Sequence, residues 1–130
     1  MATVGFYGAG KAALDSVSEA LAMEVEAFGI KVTIVQMGGY NTHLFTVGTT
    51  TTQPLPPYQP LRTEMEAMWG DAVAPEPGTA APVIMELAAL SDPPRRLIVG
   101  SQSFDHVLEM GRAQMNLYRS WEHLSRIAPG

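Results

Sequence analysis

The spacing of hydrophobic residues near the start of the chain predicts a helix followed by a strand. Over residues 8–28 they recur at every third or fourth position, the stripe of an amphipathic helix. The stripe consists of Leu14, Val17, Leu21, Val25 and Phe28. Gly29 follows it, where a left-handed C-terminal cap favours a residue without Cβ. The β-branched residues of segment 30–37 then favour a strand that ends at the glycines.

The last third of the chain predicts a second helix–strand–helix series. A helix from Pro77 to about Leu90 is interrupted by Pro82, which removes one backbone donor. Its predicted buried stripe consists of Val83, Ile84, Leu87 and Leu90. A short strand follows at residues 96–99, and a long amphipathic helix extends to Leu124.

Proline and threonine dominate the middle of the chain, which predicts a loop-rich segment. It contains one short helix from Leu61 to Trp69, closed by Gly70. We therefore expect a single domain with residues 1–43, 44–75 and 76–130 as its parts, the middle part being a lid, a binding loop or a disordered segment. The order helix–strand–loop–helix–helix–strand–helix indicates an α/β fold with parallel strands.

Composition narrows the possible functions. The net charge is -5, and Arg95 and Arg96 form the only basic pair, which we interpret as solvated, so no nucleic-acid partner is expected. The apolar runs are too short to span a bilayer, and no secretory signal pattern opens the sequence. With no cysteine and three widely separated histidines, no metal site is predicted. A soluble cytoplasmic protein without a membrane partner is expected.

Tyr7 and Lys11 are the first candidates for chemistry. Their spacing of four places both side chains on one helix face. An ammonium and a helix N-terminus both favour the phenolate form, which could exchange a proton with a substrate near neutral pH. A surface lysine beside a tyrosine at a helix start is the alternative, and spacing alone favours that ordinary interpretation.

Longer motifs change this balance. Four segments of the chain resemble parts of short-chain dehydrogenases/reductases. They are Tyr7-Gly8-Ala9-Gly10-Lys11 with the helix and strand that follow, the turn Gly38-Gly39-Tyr40-Asn41-Thr42, and the segments 93–101 and 121–125. The first has that family's Tyr-x-x-x-Lys pattern, and the turn is similar to its Pro-Gly-x-x-x-Thr loop, with Met37 in place of the proline. The resemblance covers the C-terminal half of such enzymes. It implies the C-terminal portion of a Rossmann-like, doubly wound parallel sheet, truncated in this chain.

The resemblance also implies residue roles. Tyr7 would donate or accept the proton, and Lys11 would favour its phenolate and bind the nicotinamide ribose. Gly38, Gly39 and Thr42 would contact the nicotinamide of NAD or NADP. The substrate would be a small alcohol or carbonyl compound, and the helix over residues 8–28 would form a homo-oligomer.

Parts of the family pattern are absent from these 130 residues. The sequence contains neither the glycine-rich turn that seats the cofactor pyrophosphate nor the family's serine before the tyrosine and its asparagine on an earlier helix. We therefore expect an oxidoreductase-type domain that is inactive as an isolated chain. A non-catalytic association or dimerisation module and a truncated reading frame are the alternatives.

Overall fold

The computed structural model describes residues 4–50, 52–69 and 73–128, without the side chains of Phe45 and Trp69. Its helices and strands are α1 (Gly5–Glu24), β1 (Ile34–Met37), α2 (Gln59–Trp69), α3 (Ala81–Ala89), β2 (Arg96–Val99), α4 (Ser101–Ser120) and α5 (Glu122–Ser125). Single 3₁₀ turns lie at Glu26–Phe28, His43–Phe45, Pro56–Tyr58 and Pro77–Ala80. The predicted order of elements is confirmed, with α5 added after a break at Trp121. The predicted helix end at Gly70 lies outside the described residues.

Two compact units make up the chain. One combines Met1–Gly38 with Pro82–Gly130, and the other is Gly39–Ala81. The first unit contains the sheet, in which β1 and β2 are parallel with Ile34 opposite Arg96 and Met37 opposite Val99. The predicted α/β class with parallel strands is therefore confirmed.

β1 is shorter than the strand predicted over residues 30–37. Its N-terminal neighbours still follow the partner segment, since the Thr33 hydroxyl donates to the Pro94 carbonyl at 2.7 Å. That segment includes Pro93 and Pro94, which carry no amide hydrogen. A continuous ladder therefore begins only at Ile34, whose amide donates to the Arg95 carbonyl at 2.9 Å.

Helix α1 covers the sheet with a different face from the predicted one. Ala22 is its buried residue, and Asp15, Ser18 and Val25 are half-buried on the same side. Most of the predicted stripe is exposed: Leu14 60%, Val17 65%, Leu21 44% and Phe28 77%. The stripe is largely uncovered because a two-stranded sheet covers only one narrow side of the helix. Gly29 has the predicted left-handed conformation, with φ 73°, but it caps the 3₁₀ turn Glu26–Phe28, because α1 ends at Glu24.

The segment before α3 accommodates Pro82 in a simple way. A 3₁₀ turn precedes α3, and Pro82 lies in the first helical turn, where amide groups need no partner within the helix. The predicted buried stripe of α3 is largely exposed, with Val83 at 40% and Leu90 at 47%. None of the helices in the described part of the chain is long and apolar enough to cross a membrane.

Candidate active site

Tyr7 and Lys11 meet on the first two turns of α1. The helix begins at Gly5, and the amide of Gly8 donates to the Val4 carbonyl at 2.8 Å, so Tyr7 is already within the first turn. The Lys11 ammonium lies 5.6 Å from the centroid of the Tyr7 ring, a cation–π arrangement. Both side chains are exposed, with Tyr7 at 56%. The structure thus brings this predicted pair together.

Gly38 lies at the carboxyl end of β1, where parallel α/β sheets commonly bind ligands. Its amide donates to the Val99 carbonyl at 2.9 Å. A Cβ at Gly38 would lie only 2.5 Å from the Ser103 hydroxyl oxygen in the first turn of α4. A Cβ at Gly39 would have no atom within 4 Å, so this residue leaves open space for a ligand. Sequence analysis missed Ser103, because only the fold brings it to Gly38.

Thr42 lies in the second unit, at the start of a 3₁₀ turn. Its hydroxyl oxygen accepts from the Leu44 amide at 3.4 Å, which leaves the hydroxyl proton available to a ligand. The preceding Asn41 is held twice, since its amide donates to the Pro75 carbonyl and its side chain to the Glu76 carboxylate, both at 2.8 Å. These bonds close the base of the 44–75 loop beside Thr42. No sequence pattern predicts the hydrogen bonds of Asn41 with Pro75 and Glu76.

Arg96 at the start of β2 binds two carboxylates of α1. Its guanidinium donates to both oxygens of Asp15, at 2.7 and 2.9 Å, and to Glu19 at 2.5 Å. These hydrogen bonds lower the pKa of Asp15 below its ordinary value of 3.8 and raise the pKa of Arg96. Arg95 pairs with Glu26 at 2.9 Å. Both arginines are therefore ion-paired as well as partly exposed to solvent, as predicted. Among the described residues, no group of three acidic or histidine side chains could hold a metal.

Comparisons with known proteins connect this geometry to a family. No family model matches the chain. A 3-ketodihydrosphingosine reductase of Bacteroides thetaiotaomicron is 58% identical over 38 residues, which are 29% of this chain and 14% of that protein. A crystal structure of a short-chain dehydrogenase from Streptomyces avermitilis superposes with a TM-score of 0.77 and 32% identity, over 95% of this chain and 46% of that one. The chain is therefore similar in sequence and in fold to short-chain dehydrogenases/reductases.

These similarities confirm the predicted resemblance to part of a short-chain dehydrogenase/reductase and the predicted part of a Rossmann-like fold. The chain spans 46% of the length of its solved short-chain dehydrogenase relative and 14% of the length of the reductase. The roles of Tyr7, Lys11, Gly38, Gly39 and Thr42 stay predictions.

Proposed function

We propose that this chain supplies the proton-transfer part of an NAD(P)-dependent short-chain dehydrogenase/reductase that acts in the cytoplasm on a small alcohol or carbonyl compound. When bound, the nicotinamide would give hydride to the carbonyl carbon or take it from the alcohol carbon. In the reducing direction, the Tyr7 hydroxyl would protonate the carbonyl oxygen. In the oxidising direction, the phenolate would accept the hydroxyl proton.

The observation that carries this proposal is the position of Lys11 over Tyr7. The ammonium lies 5.6 Å from the ring centroid, and Lys11 forms no ion pair with any residue in the described part of the chain. Its positive charge is therefore available to stabilise a phenolate. An exposed phenol is also accessible to a substrate oxygen.

The residues present suit the nicotinamide end of the cofactor. In the first unit, Lys11 has an ammonium that can donate to ribose hydroxyls. Considered by itself, the second unit has room for close approach at Gly39 and a hydroxyl proton that Thr42 can donate. The 130-residue sequence has no glycine-rich turn before a helix to bind the pyrophosphate. We therefore expect the chain alone to bind NAD(P)H weakly and to have no measurable turnover.

A chimera tests the proposal. The chain replaces the matching part of the Streptomyces avermitilis dehydrogenase, and NAD(P)H oxidation is followed with a panel of small aldehydes and ketones. Tyr7→Phe keeps the ring but removes the transferable proton, so we expect turnover to fall by about 10²–10⁴. Lys11→Ala should lower both turnover and cofactor affinity. Tyr118→Phe, on the exposed surface of α4, is the matched control and should leave turnover unchanged.

Two results would contradict the proposal. One is an active chimera whose Tyr7→Phe variant keeps the parental rate. The other is a folded chimera that binds NAD(P)H but reduces no carbonyl compound in the panel. Micromolar binding of NAD(P)H to the unfused chain, measured by calorimetry, would contradict only the expectation that the isolated chain binds NAD(P)H weakly.

The exposed stripe of α1 favours association as a second function. Leu14, Val17 and Leu21 present apolar surface within residues 8–28. Among the described residues, β1 pairs with β2 along one edge, and no strand pairs with its other edge. We propose that a second copy of the chain covers this face, forming a homo-oligomer. Sedimentation at several concentrations should show an oligomer that Leu21→Lys dissociates. A monomer at all concentrations would contradict it.

A further inference from the structure

Helix α1 carries an ordered row of side chains at every fourth position: Tyr7, Lys11, Asp15 and Glu19. Neighbours at this spacing lie within reach of one another on a helix surface. Lys11 therefore has two neighbours in the row, the Tyr7 ring on one side and the Asp15 carboxylate on the other. In the structure its ammonium lies over the ring, and it forms no ion pair with Asp15.

Asp15 is already bound by a residue from the sheet. Both of its oxygens accept from Arg96, at 2.7 and 2.9 Å, although the two residues are 81 positions apart. A planar guanidinium fits a carboxylate with two parallel hydrogen bonds, which a lysine ammonium cannot do. The two side chains are only about one third exposed, at 32% for Asp15 and 36% for Arg96. The nearby charges Arg95 and Glu26 bind each other and leave this contact undisturbed.

We infer that Arg96 is a positioning residue for the Tyr7–Lys11 pair: by holding Asp15, it keeps that carboxylate from drawing Lys11 away from the phenol. The inference rests on the roles proposed for Tyr7 and Lys11, and Arg96 acts through Asp15 without touching either. The ordinary pKa of Asp15, 3.8, already leaves this carboxylate charged at neutral pH, and the hydrogen bonds from Arg96 lower that pKa further. If Arg96 were absent, a charged Asp15 would be the nearest anion to Lys11 along the helix.

The position of Lys11 can be read directly in the 130-residue chain, without cofactor or activity. Lys11 and Lys31 are the two lysines of the sequence, so their side-chain NMR signals are readily separated. The Tyr7 ring current should shift the ε-methylene protons of Lys11 upfield, and Tyr7→Leu should remove that shift. Lys31, which pairs with Asp92 at 3.0 Å, is the internal reference.

Arg96→Met should abolish most of the upfield shift of Lys11 and leave Lys31 unchanged. Adding Asp15→Asn to this variant should restore the shift, because no carboxylate then competes for the ammonium. That rescue separates positioning from a purely structural role, since the link between α1 and β2 stays broken in the double variant. An unchanged Lys11 signal in Arg96→Met, or no recovery in the double variant, overturns the inference.

Asp15→Asn alone gives a second test that keeps Arg96 and its bond to Glu19. Because Arg96 already holds Asp15, this variant should leave the Lys11 shift as in the parent chain, whereas an altered shift overturns the inference. This variant decides the question if Arg96→Met does not fold. An inactive chimera combined with the expected Lys11 shifts would refute the catalytic roles but not the positioning.

Discussion

The two strands of the sheet are held by different interactions at their two ends. At the amino ends, charged side chains make the contacts: Arg96 binds Asp15 and Glu19 of α1, and Arg95 binds Glu26 of the 3₁₀ turn that follows α1. At the carboxyl ends, backbone and small residues make the contacts. The Gly38 amide donates to the Val99 carbonyl, and Val99 is 4% exposed.

Packing at the carboxyl ends of the strands requires residues without a side chain. Gly38 lies where a Cβ would meet the Ser103 hydroxyl, and Gly100, with φ 112°, caps α4 in a conformation that favours glycine. The amino end depends on charges whose side chains remain between 32% and 66% exposed. A packed contact cannot shift without strain, whereas solvated charges can move and exchange partners with water. The comparison predicts that changes of volume will disturb this sheet more than changes of charge.

Gly38→Ala should have the largest effect. The added methyl group must displace Ser103, and overpacking of this kind costs about 1–3 kcal/mol of the free energy of unfolding. Gly39→Ala is the matched control and should leave stability unchanged or slightly higher, because nothing lies near its Cβ. Urea denaturation measures both. Ser103→Ala should rescue Gly38→Ala, since the nearest remaining atoms are then at 3.4 and 3.5 Å. Equal losses for the two glycine variants would refute the packing explanation.

Arg96→Met should have a smaller effect, of about 1 kcal/mol or less, because its ion pairs are partly exposed. Arg95→Met should cost less still, since Arg95 binds one carboxylate and is 60% exposed. Urea denaturation at low and high salt separates the charge contribution, and the Arg96→Met loss should shrink as salt screens the pairs. A loss larger than that of Gly38→Ala would reverse the comparison.

Acidification should have the smallest and most local effect. Arg96 lowers the pKa of Asp15 in the folded chain, so this group stabilises the fold above its ordinary value of 3.8. That contribution is lost as the pH falls through the lower, folded-state value. The stability difference between the parent chain and Asp15→Asn should therefore shrink below about pH 4. A difference independent of pH would show that Asp15 contributes no linked stability.

Local sequence patterns determined the order of elements, the Gly29 cap and the Tyr7–Lys11 pair. Each depends on residues no more than a few positions apart, and backbone geometry alone relates such residues. Helix α1 and the meeting of Tyr7 with Lys11 could therefore be predicted without knowledge of the fold. The family motifs pointed to the same pair and to the turn after β1.

Tertiary structure decided which distant residues meet. The register that places Ile34 opposite Arg96 carries the guanidinium to Asp15, and the first turn of α4 carries Ser103 to Gly38. It also turned Ala22 rather than the Leu14–Phe28 stripe toward the sheet. Hydrophobic periodicity identifies an apolar face but not what covers it, because that depends on strand pairing and on the extent of the sheet.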